Sequence, residues 1–503
     1  MKVKNLVAML VCTLLLPTGC VSTQQASDKQ PPDIVLLVVS GLRADRPGEK
    51  EGPESAFIEA LGHKPSHRFV NAYAQSPNAF VSIGSMLTGR YPSAVPMCAP
   101  PSFNLDENGR PWCVDIPDDR YTIPEVLSLY GYQAGLVHAG WTVPDSMEKN
   151  FHAYVDATDA VVEGDKRGHL GEGIGRRVPT GLQPMLEVAR DWWRKSEATP
   201  RLLMFAIGEL TLAQSLVLTD MGTTDPAKER FVPPLSEGLM SDGEVERSRK
   251  LRTTRAETKM HEDRERLSRV YRTGATEIGQ YFGALMDFLA EGERPVRFIV
   301  VGSYGVSFRD PTRLAGAGNL DFNVHPNQII LHDSIHVPLL VFSNERTLRT
   351  RKVSDVVELV DVFPTVANWG GAELPVGLPG EDLFQTENDP YQWGYAELGD
   401  MFSIRHKDHF FSFRGQYHGR TSLDPFMTEE LEKSVGDARK YSFFHIEDDP
   451  FQQHDISKED EALTREYHKA LIAIRQSTGA PAPDKMTEAK IRELRMTDAK
   501  GYW

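Results

Sequence analysis

The sequence has few cysteines, no surplus of basic charge and no apolar run long enough to cross a bilayer. Four cysteines stand among 503 residues, and Cys12 falls inside the N-terminal apolar run, so at most one bridge is within reach of Cys20, Cys98 and Cys113. Lys and Arg number 56 against 71 Asp and Glu, a formal net charge of −15. That balance argues against nucleic acid and anionic membrane surfaces as partners. The apolar run from Leu6 to Leu16 is well short of the roughly 20 residues that a spanning helix needs. Low-complexity tracts are missing too: 33 prolines and 40 glycines are scattered along the chain, so disorder is not the default.

The length is too great for one small core and predicts a large domain with a satellite, or two domains of ordinary size. Lys2 and Lys4 precede Leu6 to Leu16, and Pro17, Thr18, Gly19 and Cys20 follow. This pattern reads as a secretory signal over residues 1–19. Small residues followed at once by Cys20 resemble a bacterial lipoprotein signal, in which that cysteine becomes a lipidated N-terminus. A plain signal peptide, with Cys20 incidental, is the alternative. Val21, Ser22 and Thr23, with no Asp after the cysteine, favour outer-membrane sorting, and residues 20–32 form a polar tether. Removing residues 1–19 deletes Lys2 and Lys4 and no acid, so the formal charge moves from −15 to −17. Cys98 and Cys113 lie in a Pro-rich loop of a chain read as exported, and a disulfide between them is expected, two separate thiols being the alternative.

Ile34 to Val39 is an unbroken apolar, β-branched run that suits a strand buried on both faces. Similar runs occur at Leu202–Ile207, Phe298–Val301 and Val337–Phe342, with helical periodicity at Ile123–Tyr130, Leu182–Trp193, Thr276–Leu289 and Val357–Trp369. Strands alternating with helices predict an α/β domain over 33–390, a large, mostly parallel mixed sheet with helices on both faces. Ligands of such sheets sit at the carboxyl ends of the strands, which places Ser40, His138 and Ser303 near one rim. Residues 220–269 interrupt the pattern as a charged insertion, whose stretch from Glu244 to Arg269 reads as a solvated helix. A docking role for that stretch in an envelope assembly is a third functional reading. From about residue 391 short alternating segments, Phe402–Arg405, His409–Phe413 and Ser442–Ile446, precede a helix over Glu459–Ile474. They predict a small antiparallel C-terminal α+β subdomain over 391–503.

Three stretches together resemble the sulfatase family, arylsulfatase-like members of the alkaline phosphatase superfamily. The first is Pro32-Asp33-Ile34-Val35-Leu36-Leu37-Val38-Val39-Ser40-Gly41-Leu42-Arg43-Ala44-Asp45, where sulfatases carry Asp-Asp in place of Ser40-Gly41. The second runs from Phe69 to Pro77 and on through Ser85-Met86-Leu87-Thr88-Gly89-Arg90-Tyr91-Pro92, similar to the family's nucleophile segment and following helix. The third is Val337-Pro338-Leu339-Leu340-Val341 with Val360-Asp361-Val362-Phe363-Pro364-Thr365-Val366. Phe444-His445-Ile446-Glu447-Asp448-Asp449-Pro450 extends the likeness to the last strand and turn. The resemblance implies the alkaline-phosphatase-like fold with a four-stranded C-terminal sheet.

It also implies chemistry that the residues here do not supply. Sulfate-ester hydrolysis uses a hard divalent cation held by carboxylate and carbonyl oxygens. The family's first Asp pair aligns with Ser40 and Gly41, and its late Ser-Asp-His-Gly pattern aligns with Gly302-Ser303-Tyr304-Gly305. The nucleophile position, a cysteine or serine oxidised to formylglycine, is Ala79, which also excludes the unmodified Ser or Thr of phosphoryl-transferring relatives. Ser82 reads as a helix cap rather than a substitute. The Gly-Lys-Trp-His segment becomes Gly140 and Trp141 preceded by His138 and Ala139, so Ala139 and Trp141 occupy the Lys and His positions. His138 and His325 are the weak remaining catalytic candidates. Arg43, Asp45, Ser85, Thr88, Gly89 and Arg90 persist as scaffold, and an Arg and Asp that tie helix to loop explain them as well as ligand contact does. The expected protein is a non-catalytic sulfatase-like lipoprotein of the bacterial envelope. No metal or other cofactor is expected, and an unidentified ligand or envelope partner would occupy the old cleft. A divergent sulfuric or phosphoric ester hydrolase with a relocated site is the alternative.

Overall fold

The computed structural model describes residues 30–95, 116, 120–139, 143, 150–156, 183–208, 254–307, 330–345, 351–385, 393–398, 401–414 and 441–478. The described residues from 31 onward group as one compact unit. Strand β1 (Asp33–Gly41) is buried at every position and lies fourth in an eight-stranded sheet ordered β4-β3-β5-β1-β6-β7-β2-β8. The other members are β2 (His67–Tyr73), β3 (Gln133–Ala139), β4 (Ala153–Asp156), β5 (Arg201–Ile207), β6 (Val296–Gly305), β7 (His336–Ser343) and β8 (Arg351–Glu358). β7 runs antiparallel to both its neighbours, and the remaining pairs are parallel. The sheet is thus mixed and mostly parallel.

Side chains alternate across a strand with period two, and β1 divides accordingly. Ile34, Leu36 and Val38 join a core with helices α2 (Ala79–Thr88), α3 (Ile123–Ser128) and α6 (Val362–Trp369). Val35, Leu37 and Val39 join another with α1 (Pro53–Leu61), α4 (Gln183–Lys195) and α5 (Thr254–Leu289). An unbroken apolar run is therefore required here, since neither face meets water. α5 lies close against α1 because Gly279 and Gly283 expose bare backbone: a Cβ would stand 2.6 Å from Phe57 O and 2.4 Å from Leu61 O. At the amino ends of the strands, Arg201 N donates to Asp33 Oδ1 at 2.8 Å and its guanidinium pairs with the other carboxylate oxygen. Trp193 covers that guanidinium at 3.8 Å.

A second sheet, β12-β11-β10-β9, is antiparallel throughout and comprises β9 (Gly394–Leu398), β10 (Met401–His406), β11 (His409–Arg414) and β12 (Tyr441–His445). Phe402, Ile404, Phe411, Phe413 and Phe443 pack against Tyr467 and Leu471 of α7 (Glu461–Ser477). The opposite face, with Met401, Phe410 and Phe444, packs against Tyr73, Ile330 and Ile335 of the main domain.

Two local expectations change. The apolar stretch Val357–Trp369 is not one helix: β8 continues to Glu358, a 3-10 turn spans Leu359–Asp361, and α6 starts at Val362. Asp361 fixes this break, because its Oδ2 accepts from Glu358 N at 2.8 Å. Thr276–Leu289 proves to be the end of the much longer helix α5, whose first turns include residues 254–269 of the charged insertion. The rest of that insertion lies outside the described residues, as do Cys20, Cys98 and Cys113. Among the described residues no helix is long and apolar enough to cross a membrane.

Candidate functional site at the strand ends

The carboxyl ends of β1 and β6 bring together the positions that aligned with the family's two acidic sets. Their register shifts by one residue, from Val39 opposite Gly302 to Ser40 opposite Tyr304, and the extra residue of this bulge is Ser303. Ser40 Oγ and Ser303 Oγ lie 2.8 Å apart, 1 % and 0 % exposed. One hydroxyl donates to the other, so each buried oxygen has a hydrogen-bond partner. Gly302 is needed at this corner: a Cβ there would stand 2.3 Å from Leu42 O. Tyr304 is buried. Tyr271 of α5 donates its hydroxyl to Gly41 O and accepts from Arg43 N at 2.9 Å.

The charged residues beside this rim are engaged with one another. Arg43 donates to both oxygens of Glu49, at 2.7 and 2.8 Å, and to Ala44 O at 2.9 Å. Burial works to raise the Glu49 pKa, but the Arg43 guanidinium wins and holds it at about 2. Asp45 accepts from the backbone N–H of Glu54 at 3.0 Å and of Ser55 at 3.1 Å, and also from the Ser55 hydroxyl. It therefore ties the loop after β1 to the start of α1. Arg46 donates to Asp333 Oδ2 at 2.9 and 2.6 Å, and Ser307 Oγ donates to the same oxygen at 3.2 Å. Arg43 and Asp45 thus have structural partners of the kind expected of scaffold residues.

Ala79 opens α2, half-buried, and presents no heteroatom. The cap is Asn78, whose Oδ1 accepts from Val81 N at 3.3 Å. Ser82 instead fastens the preceding turn: its hydroxyl donates to Ser76 O at 2.6 Å and accepts from Ser76 N at 3.1 Å. At the far end Thr88 Oγ1 donates to Gly84 O at 2.8 Å, Gly89 takes the left-handed cap at φ 64, and Arg90 Nη1 donates to Gly377 O at 3.0 Å.

His138 is buried near the end of β3, level with Ala206 of β5 and hence Val38 of β1. With β5 between, about 10 Å of sheet separates it from β1, so it shares the rim with Ser40 and Ser303 without joining their pair. For Ala139 the backbone alone is described, while Gly140, Trp141 and His325 lie outside the described residues. Among the described residues no group of three or more His, Cys, Asp or Glu is arranged to hold a metal. The donor set does not fit the family's calcium either. At the aligned positions stand two serine hydroxyls spent on each other, a glycine and a buried tyrosine, whereas a hard dication takes six to eight oxygens with carboxylates among them.

Sequence reasoning overlooked two buried polar groups next to this rim. One gathers Tyr73, His332 and His336, with ring centroids 4.7 to 5.8 Å apart. The other is Glu358 with Asp361, Tyr91 and Gln75. The run His332-Asp333-Ser334-Ile335-His336 before an apolar strand was the available signal for the first.

No protein-family model matches the chain, and no curated protein matches its sequence. Solved structures do match in shape. The phosphonate monoester hydrolase of Agrobacterium radiobacter superposes with a TM-score of 0.59 at 12% identity, covering 89% of this chain and 96% of that one. A 2-O GAG sulfatase gives 0.56 at 13%, covering 89% and 93%. The PsFucS1 sulfatase from Pseudoalteromonas sp. gives 0.51 at 12%, covering 91% and 92%. The chain has the alkaline-phosphatase-like fold that these sulfatases and the phosphonate hydrolase share, over nearly its whole length.

Proposed function

We propose that this chain is a sulfatase-fold lipoprotein of a bacterial envelope, anchored through Cys20, whose former ester cleft binds a ligand or an envelope partner without hydrolysing it. The Ser40–Ser303 hydroxyl pair carries the reading. In hydrolysis of this type a cation neutralises the ester oxygens and an activated nucleophile attacks. Here the two cation-holding positions are neutral and hydrogen-bonded to each other, and Ala79 offers no attacking atom. The acids within reach, Glu49, Asp45 and Asp333, are committed to Arg43, to the start of α1 and to Arg46. One lost element could be compensated by a neighbour, whereas nucleophile and cation ligands are separate requirements.

Metal analysis of the purified chain, calorimetric titration with calcium and magnesium, and turnover of 4-nitrophenyl sulfate and phosphate test this. The expected result is no stoichiometric metal, no binding heat and no saturable hydrolysis. Metal-dependent saturation kinetics abolished by a substitution in the cleft would overturn it and put a divergent ester hydrolase first. Anchoring is read separately: Cys20→Ser is expected to move the protein out of the membrane fraction and to abolish incorporation of labelled palmitate.

A further inference from the structure

Where the small sheet meets the main domain, several buried donors have nothing to donate to. Arg405 of β10 is 5% exposed; its guanidinium hydrogen-bonds to the Tyr73 hydroxyl, but neither Nε nor Nη1 has a partner. Among the described residues no carboxylate stands within ion-pair distance of it. Across the junction, Gln452 is 2% exposed, and its Oε1 accepts from His332 N at 2.9 Å while Nε2 has no partner. Ser403 Oγ, two residues before Arg405 and so on the same face of the strand, is likewise unsatisfied, as is His332 Nδ1. Tyr73 stands among them, with its hydroxyl 3.3 Å from His332 Nε2. Gly394, directly opposite Arg405 in the sheet, leaves room for the Tyr73 ring, which a Cβ would meet at 2.7 Å.

These groups share a chemical bias. Arg405 and Gln452 Nε2 can only donate, and Ser403 can. If Tyr73 donates to His332 Nε2, the neutral ring carries its proton on Nδ1, a further donor. Burial, then His336 and Arg405, keep His332 neutral. Of the carboxylates near the junction, Asp333 is occupied by Arg46 and Ser307 and Glu447, whose charge is felt at Tyr73, is exposed and makes no ion pair with Arg405, while the nearby cation Arg43 is neutralised by Glu49. One guanidinium charge is left over. Gln452 is held there at φ 52, a left-handed conformation uncommon for a residue with a side chain. Water could accept from the donors but would leave the charge uncompensated in a low-dielectric junction.

We infer that Arg405, Gln452, Ser403 and His332 form a buried binding site for a compact inorganic monoanion, for which chloride is the natural probe. The anion would accept from donors on both sides of the junction and so join the C-terminal sheet to the main domain.

Urea unfolding of the full purified chain in sodium chloride, against sodium gluconate at equal ionic strength, tests the site, gluconate being too bulky to enter. Once chloride exceeds its dissociation constant, each tenfold increase should raise the folded-to-unfolded ratio about tenfold. Arg405→Met and Gln452→Leu should cut that response to less than about twofold. Because either variant could fail to fold, bromide-soaked crystals of the unaltered protein supply an independent readout, with an anomalous peak expected beside Arg405 Nε and Nη1. Equal stability in chloride and gluconate, a response undiminished in the folded variants, or no peak at that place would each overturn the inference.

Discussion

Glu358→Gln should make the stability of the protein markedly less sensitive to rising pH between about 5 and 8. Glu358 sits at the end of β8, where Oε1 accepts from Tyr395 N at 2.8 Å and Gln75 Nε2 at 3.2 Å, and Oε2 accepts from Tyr91 at 2.6 Å. Burial, then the charge of Asp361, push its pKa from the ordinary 4.5 to about 8, although the three hydrogen bonds pull the other way. The unfolded chain releases this proton near pH 4.5 and the folded chain near pH 8, so between those values the folded state binds more protons. Stability must then fall as pH rises through the window, by up to about 1.4 kcal/mol per pH unit. His336, lowered to about 4 mainly by burial, acts in the opposite direction. Its contribution is lost as pH falls below about 6.5, so it masks the carboxylate in acid and is constant above neutrality. Subtracting the variant removes the histidine from the comparison. A glutamine amide can accept from Tyr395 N and Gln75 and donate to the Tyr91 oxygen, so it reproduces the neutral acid. Urea unfolding at half-unit steps from pH 5 to 8 should show the stability of Glu358→Gln minus that of the parent growing by about 3 to 4 kcal/mol, while Asp361, raised to about 7 chiefly by burial, lowers the stability of both proteins with rising pH. A difference that stays within about 0.5 kcal/mol over the range would refute the assignment of a raised pKa to Glu358.

Three further outcomes follow from the same packing. Asp33→Asn should cost about 3 to 5 kcal/mol in urea unfolding, since it leaves the Arg201 guanidinium buried against Trp193 without its counter-charge. In a double-mutant cycle, Ser40→Ala and Ser303→Ala should each destabilise by about 1 to 2 kcal/mol while the double variant costs less than their sum, because each single change strands one buried hydroxyl and the pair of changes strands none. Gly305→Ala should destabilise by about 2 kcal/mol or more, its Cβ falling 2.1 Å from Asp333 O and 2.6 Å from Arg43 Cβ; a thermal midpoint equal to the parent's would contradict the close approach of these backbones.

The parallel core was legible because its demand on the sequence is simple. A strand covered on both faces needs an unbroken apolar run, and Ile34–Val39, Leu202–Ile207 and Phe298–Val301 comply. Strand direction has no such signature: Val337–Phe342 reads like its neighbours yet β7 runs opposite to them, since a strand buried on both faces looks the same in either sense. The Val357–Trp369 stretch misled for a related reason, apolar content alone being unable to separate the end of a strand from the start of a helix when the break rests on one hydrogen bond from Glu358 N to Asp361. At the rim, sequence alignment found the positions and the structure supplied their partners. That Ser40 lacks a carboxylate is visible in the sequence, but that its hydroxyl is already used by Ser303, 263 residues away, is not. The junction around Arg405 was invisible for the same physical reason in stronger form. Arg405, Gln452 and His332 look like ordinary surface residues one at a time, and their meaning arises only when the docking of two sheets removes water from all of them together. Loss of a charge pair can be read from a sequence where a resemblance supplies the expected residue; a buried charge created by the docking of two sheets has to be found in the packing.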